Sequence, residues 1–281
     1  MGFDEYISRE SFPEDTDGIT NYYSDLGDYK KIIELFENNN GMPLFIHNVT
    51  VQNHGGYLGV ESLKDPSQAV AEDSQYPYDD VREYETLIKQ SDSALEYLIN
   101  YFKSVEQPVI ICFYGDHQPS LDKTFQQTLI NTSTDGETPL SLNQRYYTAP
   151  YFIWANYETN NKNTSNVFEK NGIDVISPNY LASSVMKYAG LKMSDFNNYL
   201  LQLRYNIPAM NAFGYLGTDS IWHTYDDKNT DVLNYSIVQY NGMHDKDRNN
   251  NALFKISADL TPEYQILYSR NDIHHYHIGK R

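Results

Sequence analysis

Four segments of the chain carry strong hydrophobic patterning, and they alternate in type. The first, LFIHNVTV (Leu44 to Val51), is rich in β-branched and aromatic residues, follows Pro43 and runs toward Gly55-Gly56, which predicts a strand. From Asp79 to Val105, Tyr84, Leu87, Ile88, Leu95, Leu98, Ile99 and Phe102 recur at helical steps of three and four. Asp79 and Asp80 suit the N-terminus of that helix through capping and the dipole, and Pro108 stops any continuation. PVIICFYG (Pro108 to Gly115) is a continuous apolar run, the pattern of a strand buried on both faces of a parallel sheet. PYFIWAN (Pro150 to Asn156) predicts another such strand, and Asn179 to Tyr188 a short helix after Pro178.

Strand, helix and strand in that order predict a right-handed βαβ crossover. The texture changes after about residue 205. VLNYSIVQY (Val232 to Tyr240) alternates, and β-like pieces follow at 252–257 and 264–268, so a small antiparallel β subdomain is expected at the C-terminus. The expected organisation is α/β: a parallel-sheet domain over residues 1–210 and a small α+β subdomain over 211–281. The polar stretch 130–145 reads as a surface loop.

At 281 residues, with 40% apolar and 21% charged residues, the chain has ordinary globular composition, which excludes disordered and fibrous classes. Its 26 tyrosines suit a wet, polar-lined groove as well as a core. The net charge of −17 argues against nucleic acid as a partner and against docking on an anionic membrane through a polybasic patch. An anionic substrate would need a local reversal of the field, for which a divalent metal is the usual device. No stretch is apolar enough for a transmembrane helix, and the acidic start MGFDEYISRESFPEDTDG shows no signal peptide and no credible myristoylation signal. The single cysteine, Cys112, excludes a disulfide framework and reads as a buried inert thiol.

Ligands of open α/β sheets sit beyond the carboxyl ends of the strands. PVIICFYG runs directly into Asp116-His117, an adjacent carboxylate and imidazole able to reach one divalent cation, with Gly115 before and Pro119 after. The bland alternative is an aspartate that only caps the loop. His54 follows the other predicted strand, and Gly55-Gly56 lets backbone approach a ligand; it is either a contact to a phosphate or sugar hydroxyl, or a hydrogen-bonded loop histidine. His47 reads as a core histidine, His223 and His244 as serving local packing or solvent, and His274, His275 and His277, which could bind metal adventitiously, as part of a frayed tail.

NVTVQNHGGY, LIKQSDSALEYLINYF, FYGDHQPSL and TAPYFIWANY, in this order, resemble the sulfatase-like phosphoglycerol transferases, the group within the alkaline phosphatase superfamily that includes lipoteichoic acid synthase. MGFDEY and SPNYLASSVMKYAGL extend the likeness over nearly the whole chain. The resemblance implies that Asp116 and His117 are metal ligands, usually for manganese, and that His54 contacts the phosphoglycerol group. It implies a threonine nucleophile at a helix N-terminus, which attacks a glycerophosphate lipid and forms a covalent phosphoglycerol enzyme. That threonine, a glutamate ligand and an aromatic-Asn-Arg segment are expected upstream of residue 1, since Thr16, Thr20 and Thr50 lack the pattern.

The chain is thus expected to be the C-terminal portion of the catalytic domain, holding Mn2+ or another divalent cation weakly. An exposed sheet edge would pair with an upstream half or with a second copy. The resemblance places such domains on the extracellular face of a bacterial membrane. Two alternatives stay open: a noncatalytic module that binds glycerophosphate or a partner, and a sulfatase or phosphomonoesterase of the same superfamily. For the latter, Cys112 in mid-strand cannot be the oxidised nucleophile.

Overall fold

A computed structural model of the protein describes residues 3–72, 75–131, 137–159, 169–170, 173–247 and 251–255. They cluster into two units, Ser8–Tyr157 and the remainder; the boundary expected at 210/211 lies inside the second.

In the first unit, helix α1 (Asp25–Glu37) begins at Ser24, whose side chain accepts a hydrogen bond from the Gly27 N–H. Its apolar face, with Tyr29 and Ile33 at the centre, packs on Ala94, Leu98 and Phe102 of helix α2 (Asp79–Lys103). α2 lies where the three-and-four spacing puts it and ends short of Pro108. Its earlier turn carries Leu87 into a second cluster with Ile19, Val60 and Leu63. Strands β1 (Ile110–Tyr114) and β2 (Tyr151–Ala155) pack on the first cluster through Ile111 and Trp154.

Both strands form where expected, but their pairing differs. They run antiparallel, in register from Ile110 opposite Ala155 to Tyr114 opposite Tyr151, so no parallel βαβ crossover joins them. Their side chains are mostly half-buried rather than enclosed on both faces. An apolar run reports burial, not strand direction, and Phe113 stacked on Phe152 at 5.3 Å serves an antiparallel pair equally well. Between them lie α3 (Lys123–Asn131) and α4 (Pro139–Gln144), the latter capped by Thr138. The segment expected to be a loop at 130–145 therefore holds helix at both ends, with 132–136 outside the described residues.

Leu44–Val51 forms no strand. Phe45 and Val49 are 77% and 75% exposed, and no described strand pairs with the segment. β-branched composition favours a pleated surface only when a neighbour is present to complete it. His47, expected in the core, is exposed and shares a hydrogen bond of 3.1 Å with the Tyr114 hydroxyl.

Asn156 closes this unit. Its Oδ1 accepts from the Val109 N–H at 2.8 Å, and its Nδ2 reaches the carbonyls of Phe102, Val105 and Gln107 at 2.9–3.0 Å. One side chain thus satisfies the end of α2 and the start of β1. Asn156→Ala is expected to lower stability by about 2 kcal/mol, because it strands several polar groups at once. Urea unfolding checks this, and an unchanged midpoint would refute it.

In the second unit, β3 (Glu169–Lys170) and β4 (Ile173–Asp174) pair antiparallel. Helix α5 (Pro178–Ala189) follows as predicted and closes on Gly190 in the left-handed region at φ 70°. Helix α6 (Asp195–Asn206) starts with a reciprocal capping box between Ser194 and Asn197. Tyr180, Leu200, Leu203, Ile207, Tyr215 and Tyr235 form the core. The expected antiparallel sheet exists but is built from earlier residues: β5 (Ala209–Met210), β6 (Tyr215–Leu216) and β7 (Trp222–His223).

Val232–Tyr240, read as a strand, lies within helix α7 (Thr230–His244). Asn229 caps it by accepting from the Asp231 and Val232 N–H groups, and Val232 and Tyr235, three apart, face the core. Of the β-like piece at 252–257, Ala252–Phe254 is a 3-10 turn. The piece at 264–268 and the three C-terminal histidines lie outside the described residues.

Candidate functional site

The end of β1 delivers Asp116 and His117 to the surface. The Gly115 N–H extends the β1–β2 ladder by donating to the Pro150 carbonyl at 2.9 Å. A Cβ at Gly115 would lie 3.1 Å from the Ala149 Cβ, so glycine permits this close crossing. The loop beyond is tethered: the Gln118 amide donates to the Thr148 carbonyl, and the Gln126 amide to the Pro119 carbonyl at 2.7 Å. Asp122 caps α3 through the N–H groups of Thr124 and Phe125, while its own N–H donates to Asp80 at 2.8 Å.

On that loop the two sequence-predicted metal ligands stand together. The Asp116 Oδ1 accepts from the His117 N–H at 2.8 Å, which fixes the carboxylate plane. The His117 Nδ1 lies 2.8 Å from the Gln118 carbonyl, an acceptor, which assigns the proton to Nδ1 and leaves the lone pair on Nε2. That Nε2 is 3.5 Å from the Asp116 Oδ2, and both side chains are well exposed. Two acceptors at this separation match neighbouring ligands on one cation, whose bonds to N and O run about 2.0–2.2 Å. A backbone carbonyl orienting the distal nitrogen is the usual outer support of a metal-bound histidine. The donor set therefore fits two corners of a divalent-cation site. No third His, Cys, Asp or Glu joins them among the described residues.

His54 sits at the surface on a tight turn, its N–H donating to the Val51 carbonyl at 3.0 Å. Its Nδ1 lies 3.3 Å from both the Tyr22 hydroxyl and the Gly55 carbonyl, and its ring packs on Tyr22 at 5.5 Å. Gly56 follows at φ 110°, a conformation side chains rarely adopt. His54 makes no hydrogen bond or ion pair with Asp116 or His117 among the described residues. His47 and Tyr114 join the two segments upstream of the site residues.

Of the threonines weighed as nucleophiles, Thr20 accepts from the Tyr22 N–H at 3.2 Å, and Thr50 hydrogen-bonds Asp25. Cys112 is half-buried on β1, and burial pushes its thiol pKa up, as expected of an inert thiol. His223 is held between Asp219 and Asp227 and stacks on Tyr215, a local packing role.

Sequence reasoning passed over a buried polar cluster beneath His54. Asp25 and Asp28, on the first turn of α1, are 3% and 8% exposed. Burial pushes both carboxyls up; the Asp25 charge adds to the effect on Asp28, which reaches about 7 against an opposing Asn48 hydrogen bond. Gln52, 3% exposed, completes the cluster. The available signal was Ser24-Asp25 ahead of apolar residues at helical spacing, which marks a helix start.

Comparison with known proteins agrees with this architecture. The solved Streptococcus pyogenes phosphoglycerol transferase GacH, in complex with sn-glycerol-1-phosphate, superposes with a TM-score of 0.61 at 18% identity over 89% of this chain and 57% of that one. A Rhizobium meliloti (strain 1021) protein named "Putative cyclic beta-1,2-glucan modification protein" is 23% identical over 267 residues, 92% of this chain. The chain spans 40% of that relative's length. The fold is the expected α/β sulfatase-like class, here with helices and small antiparallel sheets. The sulfatase family model matches residues 1–191, most of the chain, and the protein belongs to the sulfatase family.

Proposed function

We propose that the chain carries the metal- and phosphate-binding residues of a phosphoglycerol transferase or phosphodiesterase acting on a glycerophosphate lipid or polymer. The carrying observation is the Asp116–His117 pair, two lone-pair donors 3.5 Å apart on a tethered, exposed loop. These residues would hold a divalent cation, Mn2+ first. When bound it supplies the positive field that a chain of net charge −17 lacks toward a phosphodiester. His54 donates a hydrogen bond to a phosphoryl oxygen or a glycerol hydroxyl, with its ring held against Tyr22. The sn-glycerol-1-phosphate of the streptococcal complex supports this ligand class, and the name of the Rhizobium relative supports a glucan hydroxyl as the acceptor to test beside water. No residue of this chain is assigned as the nucleophile. Such a substrate suits the outer face of a bacterial membrane; no helix among the described residues is long and apolar enough to cross one.

A second reading, a noncatalytic glycerophosphate-binding module, is favoured by the two-residue donor set. The test is manganese-dependent cleavage of a glycerophosphate lipid analogue by the full chain, with Asp116→Ala alongside. Turnover that the variant lacks supports the enzyme. Binding of sn-glycerol-1-phosphate without turnover supports the module, and neither binding nor turnover refutes both.

A further inference from the structure

Side chains on the approach to His54 meet both α1 and α2. Asn48 hydrogen-bonds Asp28, Thr50 hydrogen-bonds Asp25, and the Gln52 Oε1 accepts from the Asp25 N–H at 2.9 Å. The Gln52 Nε2 donates to the Leu87 carbonyl at 3.2 Å and to the Ser91 Oγ at 3.1 Å. Asn53 donates to the same Ser91 oxygen at 2.7 Å. A serine hydroxyl has two lone pairs and one hydrogen. Both lone pairs of Ser91 are taken by the Gln52 and Asn53 amides. On the other side, the Tyr57 hydroxyl donates to the Asn53 carbonyl at 2.6 Å.

An apolar plug would join α1 and α2 at lower cost, since buried polar groups lose hydration and the Asp25 Oδ1 is left without a hydrogen-bond partner. What the polar arrangement adds is direction. Each bond fixes one orientation of the two residues that precede His54, whereas apolar packing leaves that turn free to slide. We propose that Ser91, which accepts from both residues preceding His54, is a positioning residue that sets the orientation of the His54 imidazole for a phosphate-bearing ligand. This inference rests on the reading of His54 as the phosphate contact.

The test uses the full chain carrying 13C-labelled histidine. The His54 ring signal is assigned with His54→Gln, and sn-glycerol-1-phosphate is the titrant. Ser91→Ala is expected to shift and broaden the His54 signal and to weaken sn-glycerol-1-phosphate about fivefold to tenfold, the loss of roughly one hydrogen bond's worth of ordering. Ser91→Thr, which keeps the hydroxyl, is expected to restore both, while the His117 signal stays in place. Asn53→Ala removes only the shortest link to Ser91 and serves if Ser91→Ala does not fold. A His54 signal unmoved in both variants overturns the proposal, as does a shift shared equally by His117 and His223, which would mean general loosening. A parent protein that fails to bind sn-glycerol-1-phosphate refutes the functional reading, and the His54 signal alone then decides the positioning role.

Discussion

Asp28→Asn is expected to stabilise the protein by about 3 kcal/mol at pH 8 and to change it little at pH 4. The cause is a carboxyl that folding removes from water: Asp28 is 8% exposed, and burial, reinforced by the nearby Asp25 charge, moves it from the ordinary 3.8 to about 7. Because the folded state holds this proton more tightly than the unfolded chain, stability is complete below the ordinary carboxylate range. It falls as pH rises through about 7, where the buried group must ionise. At about 1.4 kcal/mol per pH unit, the span sets a ceiling of about 4 kcal/mol, lowered because Asp25 and Asp28 titrate as a pair. Asparagine keeps the shape, still accepts the Asn48 hydrogen bond and carries no charge to bury. Urea unfolding of parent and variant at pH 4, 6 and 8 checks this. Parallel stability curves across that range would show that Asp28 ionises freely in the fold.

That acid pair also marks where the sequence stops being legible. Helix α2 announces itself because its apolar period runs through one continuous segment with aspartates at its start and proline beyond its end. Asp116-His117 is legible for the same local reason, an apolar run ending in two donors with a glycine before them. The cluster beneath His54 joins Asp25, Gln52 and Ser91, which lie 27 and 39 residues apart in successive links, and no local pattern reports such a meeting.

Local preference and tertiary context disagree in two segments. Leu44–Val51 has β composition, but a strand requires a neighbour, and just past the segment Gln52 turns inward to accept from the Asp25 N–H. Val49 and Val51 are left outside, the reverse of an ordinary half-buried strand. Val232–Tyr240 alternates and also carries a helical period. The Asn229 cap and the inward Val232–Tyr235 step favour the helix, leaving Leu233, Ile237 and Tyr240 exposed. Strand direction was beyond reach, because the apolar content of β1 and β2 is the same whichever way they pair.

The metal proposal makes the sharpest demand on the site. Manganese at ten times its dissociation constant is expected to add about 1.4 kcal/mol of stability, and Asp116→Ala is expected to remove the whole increment. His117→Ala should do the same, since its Nε2 and the Asp116 Oδ2 converge and neither has a nearby substitute among the described residues. His54→Ala should leave the manganese increment intact, because His54 contacts neither ligand, while weakening sn-glycerol-1-phosphate. Magnesium at the same concentration should stabilise less: one of the two donors is an imidazole nitrogen, which suits manganese better than an ion that favours oxygen. Thermal melts of the four proteins with each metal separate the roles. Identical melts of the parent with and without manganese would remove the metal site. Loss of both metal and phosphate binding in His54→Ala would show that His54 belongs to the metal site rather than to the phosphate.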